Sequence, residues 1–205
     1  MNFIYSFIIS FMLVFFAELG DKTQLLVLSF STKDKVKNIL LGVALGTFFS
    51  HGLAILFGSK LASLENQSFI YYSKIITYVS FLLFGIIGFI PKKHKNDSNQ
   101  NTKNNSIFHK LTNIKINYIL IIAISIIIGE LGDKTFLASL GLGLEYPNYK
   151  LSLILGSITG MVLSNSIALF LGKLLGNKLK PSIIEFISNS IFIIFGLIGF
   201  IKIIF

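Results

Sequence analysis

Residues 18–23 read Glu-Leu-Gly-Asp-Lys-Thr, and residues 130–135 repeat the same six residues. Each copy sits inside a stretch apolar enough to cross a bilayer. Two acids and a lysine per copy put six ionisable groups at membrane depth, at about 2.5–3.5 kcal/mol each on insertion scales. Such groups need partners, water or a bound ion. The four carboxylates, Glu18, Asp21, Glu130 and Asp133, form an all-oxygen ligand set suited to hard cations such as Ca²⁺, Mn²⁺ and Mg²⁺. No His or Cys stands in either motif to favour zinc or copper. Thr23, Thr135 and Gln24 could add neutral oxygens or hold the carboxylates in place. Lys22 and Lys134 read as charge balancers, because an ammonium cannot coordinate a cation.

With all six groups ionised, the pair of motifs carries a charge of about −2, which one divalent cation or two protons would neutralise. A site that must be neutral to change its exposed side could therefore exchange one such cation for about two protons. Structural i,i+4 ion pairs, Glu18 with Lys22 and Glu130 with Lys134, are the plainer reading of the spacing. They leave one aspartate over in each copy.

The elements that must carry these residues follow from composition. The chain has 205 residues, is 53% hydrophobic and only 13% charged, and has a mean hydropathy of +0.78. An integral membrane protein is the class this defines. Six apolar runs, at roughly 3–30, 38–60, 69–90, 116–142, 151–174 and 182–204, approach or exceed the ~20 residues a bilayer core requires. The first begins at once and outlasts a signal-peptide core, so it is expected to be a retained helix. Residues 91–115 are polar and rich in Lys and Asn, a linker between two halves. The domain expectation is a first three-helix repeat at 1–90, the linker at 91–115 and a second repeat at 116–205. The chain contains no cysteine, which excludes disulfides and thiolate metal sites.

All 18 basic residues are lysines. Twelve fall in the loops after the first, third and fifth runs, and four on the other side. By the positive-inside rule the linker is cytoplasmic and both termini lie outside. The net charge of +9 thus speaks of topology and lipid surface, not of nucleic acid. Lys74 and Glu185 occupy equivalent places in the third and sixth runs and are expected at the interface.

The halves match beyond the motif. Gly42, Gly46 and Gly58 correspond to Gly156, Gly160 and Gly172 at a constant offset of 114, and Phe84-Gly-Ile-Ile-Gly-Phe-Ile corresponds to Phe195-Gly-Leu-Ile-Gly-Phe-Ile. Because each half holds an odd number of helices, the second enters the membrane in the opposite sense. The expected fold is all-α, with six transmembrane helices as two inverted three-helix repeats and both motifs meeting at the midplane. On a continuous helix Glu18 and Asp21 would share a face with Lys22 one turn below; Gly20 and Gly132 could instead kink or unwind the motifs. The glycine pairs are expected as close-packing surfaces. His51, aligned with Asn165 in the repeat, reads as a hydrogen-bonded packing histidine, with a proton relay as its functional alternative. Ser164, Asn165, Ser166 and Asn189 read as bonds across helices, with lining of the transport pathway as the alternative.

The twin Glu-x-Gly-Asp-Lys-Thr motifs, one per three-helix half, resemble the family of Golgi-type and bacterial divalent cation:proton exchangers, to which small manganese exporters belong. The resemblance covers both halves. It implies export of Mn²⁺ or Ca²⁺ from the cytoplasm against protons, with Glu18, Asp21, Glu130 and Asp133 as the binding acids. Gln often follows the motif threonine in that family, as at Gln24, but Phe136 follows Thr135 here. A symmetric pair of amide ligands is therefore not expected.

An antiporter with cation and protons as substrates, the lipid bilayer as partner and no resident cofactor is the function these readings favour. A bacterial inner membrane is the expected location. The alternative is a proton-coupled exporter of a small organic solute such as an amino acid, although two acids per half exceed what that needs. No Ser/His, Cys/His or HExxH set lies in the helices, so an enzyme is not expected.

Overall fold

The computed structural model describes residues 2–19, 21–31, 33–64, 67–89, 118–175 and 181–204. Among them the regular structure is helical: α1 Phe3–Glu18, α2 Lys22–Phe30, α3 Val36–Ala62, α4 Gln67–Gly88, α5 Tyr118–Glu130, α6 Lys134–Glu145, a short 3₁₀ turn Pro147–Tyr149, α7 Lys150–Leu175 and α8 Pro181–Ile204. The linker at 91–115, Gly20 and the side chains of Lys22 and Glu185 lie outside the described residues, as does the packing of Gly172.

Helices are what these sequences must form in lipid, because a helix satisfies its backbone groups internally where no water can. α3, α4 and the segment Pro147–Phe170 are long and apolar enough to span a bilayer. The first and fourth apolar runs are not single helices. Each is broken at its motif, into α1 and α2 and into α5 and α6, which corrects any reading of the acids on one unbroken wheel. At about 1.5 Å per residue neither α1 nor α5 alone crosses a 30 Å hydrocarbon core.

The distribution of polarity is the reverse of a soluble protein's. Phe48, Leu53, Phe57, Ile76, Ile86 and Phe170 face outward, whereas Ser6, Ser10, Thr47, Ser50, Ser157 and Ser164 are buried. Inside the bundle small polar residues bond across or along helices, as Ser10 does in donating to Leu153 O at 2.7 Å.

The packing joins the halves crosswise. Gly42 and Gly46 of α3 seat on α5, where an added Cβ at Gly42 would stand 2.9 Å from Ile119 O and 2.8 Å from Ile122 Cβ. Gly156 and Gly160 of α7 seat on α1, where a Cβ at Gly156 would stand 2.5 Å from Phe7 O and 3.0 Å from Ser10 Cβ. Phe7 and Ser10 are the repeat counterparts of Ile119 and Ile122. The same contact thus occurs twice with the halves exchanged. α4 and α8 behave likewise: Gly85 meets Ile193 while Gly196 meets Leu82, and Gly88 meets Asn189 while Gly199 meets Tyr78. At Gly42, Gly46, Gly156 and Gly160 the expectation of glycine packing surfaces holds, because no side-chain atom fits there.

Candidate cation site

α1 closes on Glu18 and α2 opens on Lys22; α5 closes on Glu130 and α6 opens on Lys134. In each break the aspartate is the N-cap of the second helix, at φ −79°, ψ 166° for Asp21 and φ −78°, ψ 168° for Asp133. The aspartate N–H donates to the glutamate carbonyl, at 3.2 Å in the first break and 3.0 Å in the second. Asp133 Oδ1 also accepts from Lys134 N at 2.7 Å. Gly132 supplies the turn at φ +79°, a conformation that costs an L residue about 1–2 kcal/mol. The sequence Glu-Leu-Gly-Asp therefore stops one helix and caps the next.

Breaking the helix aims the side chains. Thr23 Oγ1 donates to Glu18 Oε2 at 2.9 Å, and Thr135 Oγ1 donates to Glu130 Oε2 at 2.9 Å. Both glutamates are fully buried. The threonines, expected as possible ligands or supports, each hydrogen-bond a motif glutamate. Glu18 Oε1, Asp21 Oδ2 and Asn165 Oδ1 are buried with no hydrogen-bond partner among the described residues. An oxygen left so typically costs about 1–3 kcal/mol. Each is an unmatched hard oxygen that a cation would satisfy, and at the two carboxylates a proton would do so too.

His51 enters this site from α3. Its Nδ1 lies 2.7 Å from Ser139 Oγ on α6, and its Nε2 lies 3.7 Å from Glu130 Oε2. It is thus a hydrogen-bonded buried histidine and also a neighbour of a motif acid. Glu130, Asp21 and His51 act electrostatically on Glu18, and Glu18 and Asp133 act on His51. The acids of both motifs and His51 therefore share one electrostatic neighbourhood. Among the described residues no three His, Asp or Glu side chains stand close enough to hold a metal together. The acids are neighbours, not an assembled cage.

The remaining expected residues divide. Gln24 Nε2 donates to Ser164 Oγ at 2.7 Å, tying α2 to α7. Asn165 Nδ2 donates to Met161 O within its own helix, as Ser166 Oγ does to Val162 O, so for these two the expected cross-helix bond is replaced by a local one. Lys134 Nζ stands 5.8 Å from the Phe192 ring centroid, a cation–π contact in place of an i,i+4 pairing. Ser139 was not singled out by sequence. Its position one turn after Thr135, on the same helix face, is the signal that could have found it.

Buried acids placed at helix breaks within a multi-pass helical membrane protein are the architecture of ion-coupled secondary transporters. The family model described as "Divalent cation/proton antiporter GDT1" matches residues 6–96 and 118–204, and the chain belongs to the GDT1 divalent cation/proton antiporter family. It is 28% identical over 190 residues to a protein of Vibrio cholerae named "Putative manganese exporter", across 92% of this chain and 87% of that one. A GDT1-like protein of Schizosaccharomyces pombe is 30% identical over 83 residues, covering 40% of this chain and 30% of the relative. No solved structure matches the chain.

Proposed function

We propose that this protein exchanges Mn²⁺ or Ca²⁺ for protons and exports the cation from the cytoplasm, with Glu18, Asp21, Glu130 and Asp133 serving one midplane site between two inverted three-helix repeats. The observation that carries this reading is the doubled helix break, in which two fully buried glutamates accept matched 2.9 Å bonds from Thr23 and Thr135. Reciprocal glycine contacts between the halves support the inverted repeat. The name of the Vibrio relative favours manganese over calcium.

In this mechanism each threonine fixes one carboxylate oxygen. At Glu18 that leaves Oε1 for the ion. The N-terminal ends of α2 and α6, capped by the aspartates, border the site, and their dipoles stabilise carboxylates in the cation-free state. Two protons replace the departing cation and return the site to neutrality, so exchange is expected to respond little to membrane voltage. His51 stands close enough to Glu130 to carry or relay one of those protons. The lysine distribution supports a cytoplasmic linker with both termini outside, and we read the membrane as a bacterial inner membrane.

The test uses everted vesicles under an imposed pH gradient, comparing Mn²⁺ and Ca²⁺ flux in the wild type, Glu18→Gln and Glu130→Gln. Loss of flux in both variants is expected. Undiminished flux in both would remove the shared site, and strongly voltage-driven exchange would remove the two-proton stoichiometry.

A further inference from the structure

A second group of ionisable residues lies away from the motifs, at the far end of α6. Glu145 closes that helix, and its Oε2 accepts from Tyr78 Oη of α4 at 2.7 Å and faces Lys74 Nζ of α4 at 3.1 Å. Its Oε1 lies 3.8 Å from Lys202 Nζ of α8, which donates to Tyr146 Oη at 2.9 Å. Beneath this group is a cavity of about 150 Å³ between α1, α4, α6 and α8, lined by Tyr5, Tyr78, Phe81, Leu142, Glu145 and Lys202 among others. Phe81 leads to Phe192, the two ring centroids 6.0 Å apart, and Phe192 carries Lys134 of the second motif on its ring.

We propose that this cavity is the arm of the transport pathway at the Glu145 end, and that the Glu145 cluster is the latch that keeps it closed by pinning α6 to α4 and α8. The proposal rests on the exchange function and adds to it the moving part and its fastening.

Four features point the same way. First, α6 is only 12 residues long and is joined to α5 through Gly132, which has open space around it. A short helix on a glycine turn is suited to hinge motion. Second, α6 is seated by glycines: Gly141 abuts Thr77 of α4, Gly143 abuts Ile55 O of α3, and Gly58 of α3 abuts Leu140 O. At these glycines the helices meet with no α6 side chain between them, while Ala138, Leu142 and Leu144 bury theirs and Ser59 Oγ of α3 donates to Gly143 O. Third, the fastening lies at the C-terminal end of the helix, just before the 3₁₀ turn Pro147–Tyr149 that joins it to α7, and uses pairs that are partly exposed, Lys74 at 31% and Lys202 at 42%. Pairs of this kind are weak enough to break and re-form within a cycle. Fourth, the barrier between the cavity and Lys134 is formed by Phe81 and Phe192, contributed by α4 and α8, the same two helices that the latch holds. Releasing Glu145 frees the helix end, lets α6 swing from the aromatic pair, and leaves an unpaired acid at the mouth for an emerging cation.

The test exploits the absence of cysteine from the chain. Leu142, 4% exposed and on the cavity wall, is replaced by Cys, and the rate of modification by a membrane-impermeant cationic methanethiosulfonate is measured in right-side-out and everted vesicles. With the latch intact, modification is expected to be slow. Adding Glu145→Gln, or Lys74→Met, is expected to accelerate it about two- to fivefold from one side only, the scale of losing a weak ion pair. The buried control Ile39→Cys is expected to stay unmodified in the same backgrounds; a rise there would mean general loosening and would overturn the latch. An unchanged Leu142→Cys rate with both latch substitutions, from both sides, would overturn it equally. Modification is read with no cation or pH gradient, so it tests the latch even if the flux measurements on Glu18→Gln and Glu130→Gln reject the exchange function.

Discussion

At the first break Gln24 crosses from α2 to Ser164 on α7; at the second, Phe136 stands in the place of Gln24, and the crossing bond comes from His51 of α3 to Ser139 of α6. The glutamate, its threonine and the aspartate backbone are arranged alike in both breaks, to within 0.2 Å in these hydrogen bonds, although only Asp133 caps its helix with its side chain. What differs is the group that ties each half-helix to the helix beside it: an amide in one case, a titratable imidazole 3.7 Å from Glu130 in the other. On the proposed function, the shared part would hold the ion from two sides. The differing part sets an imidazole 3.7 Å from Glu130 where the first break has an amide tie to α7.

The largest test of the comparison is the pair of acid substitutions. If the breaks are equivalent at the ion, Glu18→Gln and Glu130→Gln each abolish most of the exchange, as expected when a ligand charge is removed. A loss confined to one would break the equivalence. Next comes Gly132→Ala, expected to destabilise the protein by about 1–2 kcal/mol through its positive φ, read as a lower unfolding midpoint in detergent; an unchanged midpoint would mean the turn relaxes. Ser139→Ala removes the partner of His51 Nδ1 and is expected to cost about 1 kcal/mol. If His51 handles protons, the pH profile of flux in this variant shifts while cation affinity is kept, whereas Gln24→Leu leaves the pH profile unmoved. Smallest is Lys134→Met, which loses a cation–π contact of about 0.5–1 kcal/mol and is read as a modest loss of thermal stability.

Much of this could be read from residues alone. The doubled hexapeptide marked both acids and the turn, because an ionisable group in an apolar run has few structural excuses. The glycine series marked the closest helix contacts, since their periodicity is imposed by backbone approach. The break itself was legible only as one option. Gly132 permits φ +79°, yet glycine also occurs in straight membrane helices, and it took Asp133 acting as a cap to decide between them. His51 was read correctly as hydrogen-bonded, but its distance from Glu130 is a long-range fact that spacing does not carry. The Glu145 cluster was hidden for the same reason: Lys74, Glu145 and Lys202 lie on three separate helices, and only crosswise packing brings them together.

That crosswise packing bears on how the chain is made. Ser10 of α1 donates to Leu153 O of α7, a partner 143 residues further along. On a ribosome, α1 enters the bilayer with Ser6, Ser10 and Glu18 on it well before that partner has been synthesised. Until then the polar face must be sheltered by the insertion machinery or by α3, and the first half arrives as an unfinished surface. Biogenesis of this protein is therefore late-completing: the order in which the ribosome delivers the helices is not the order in which they find their neighbours.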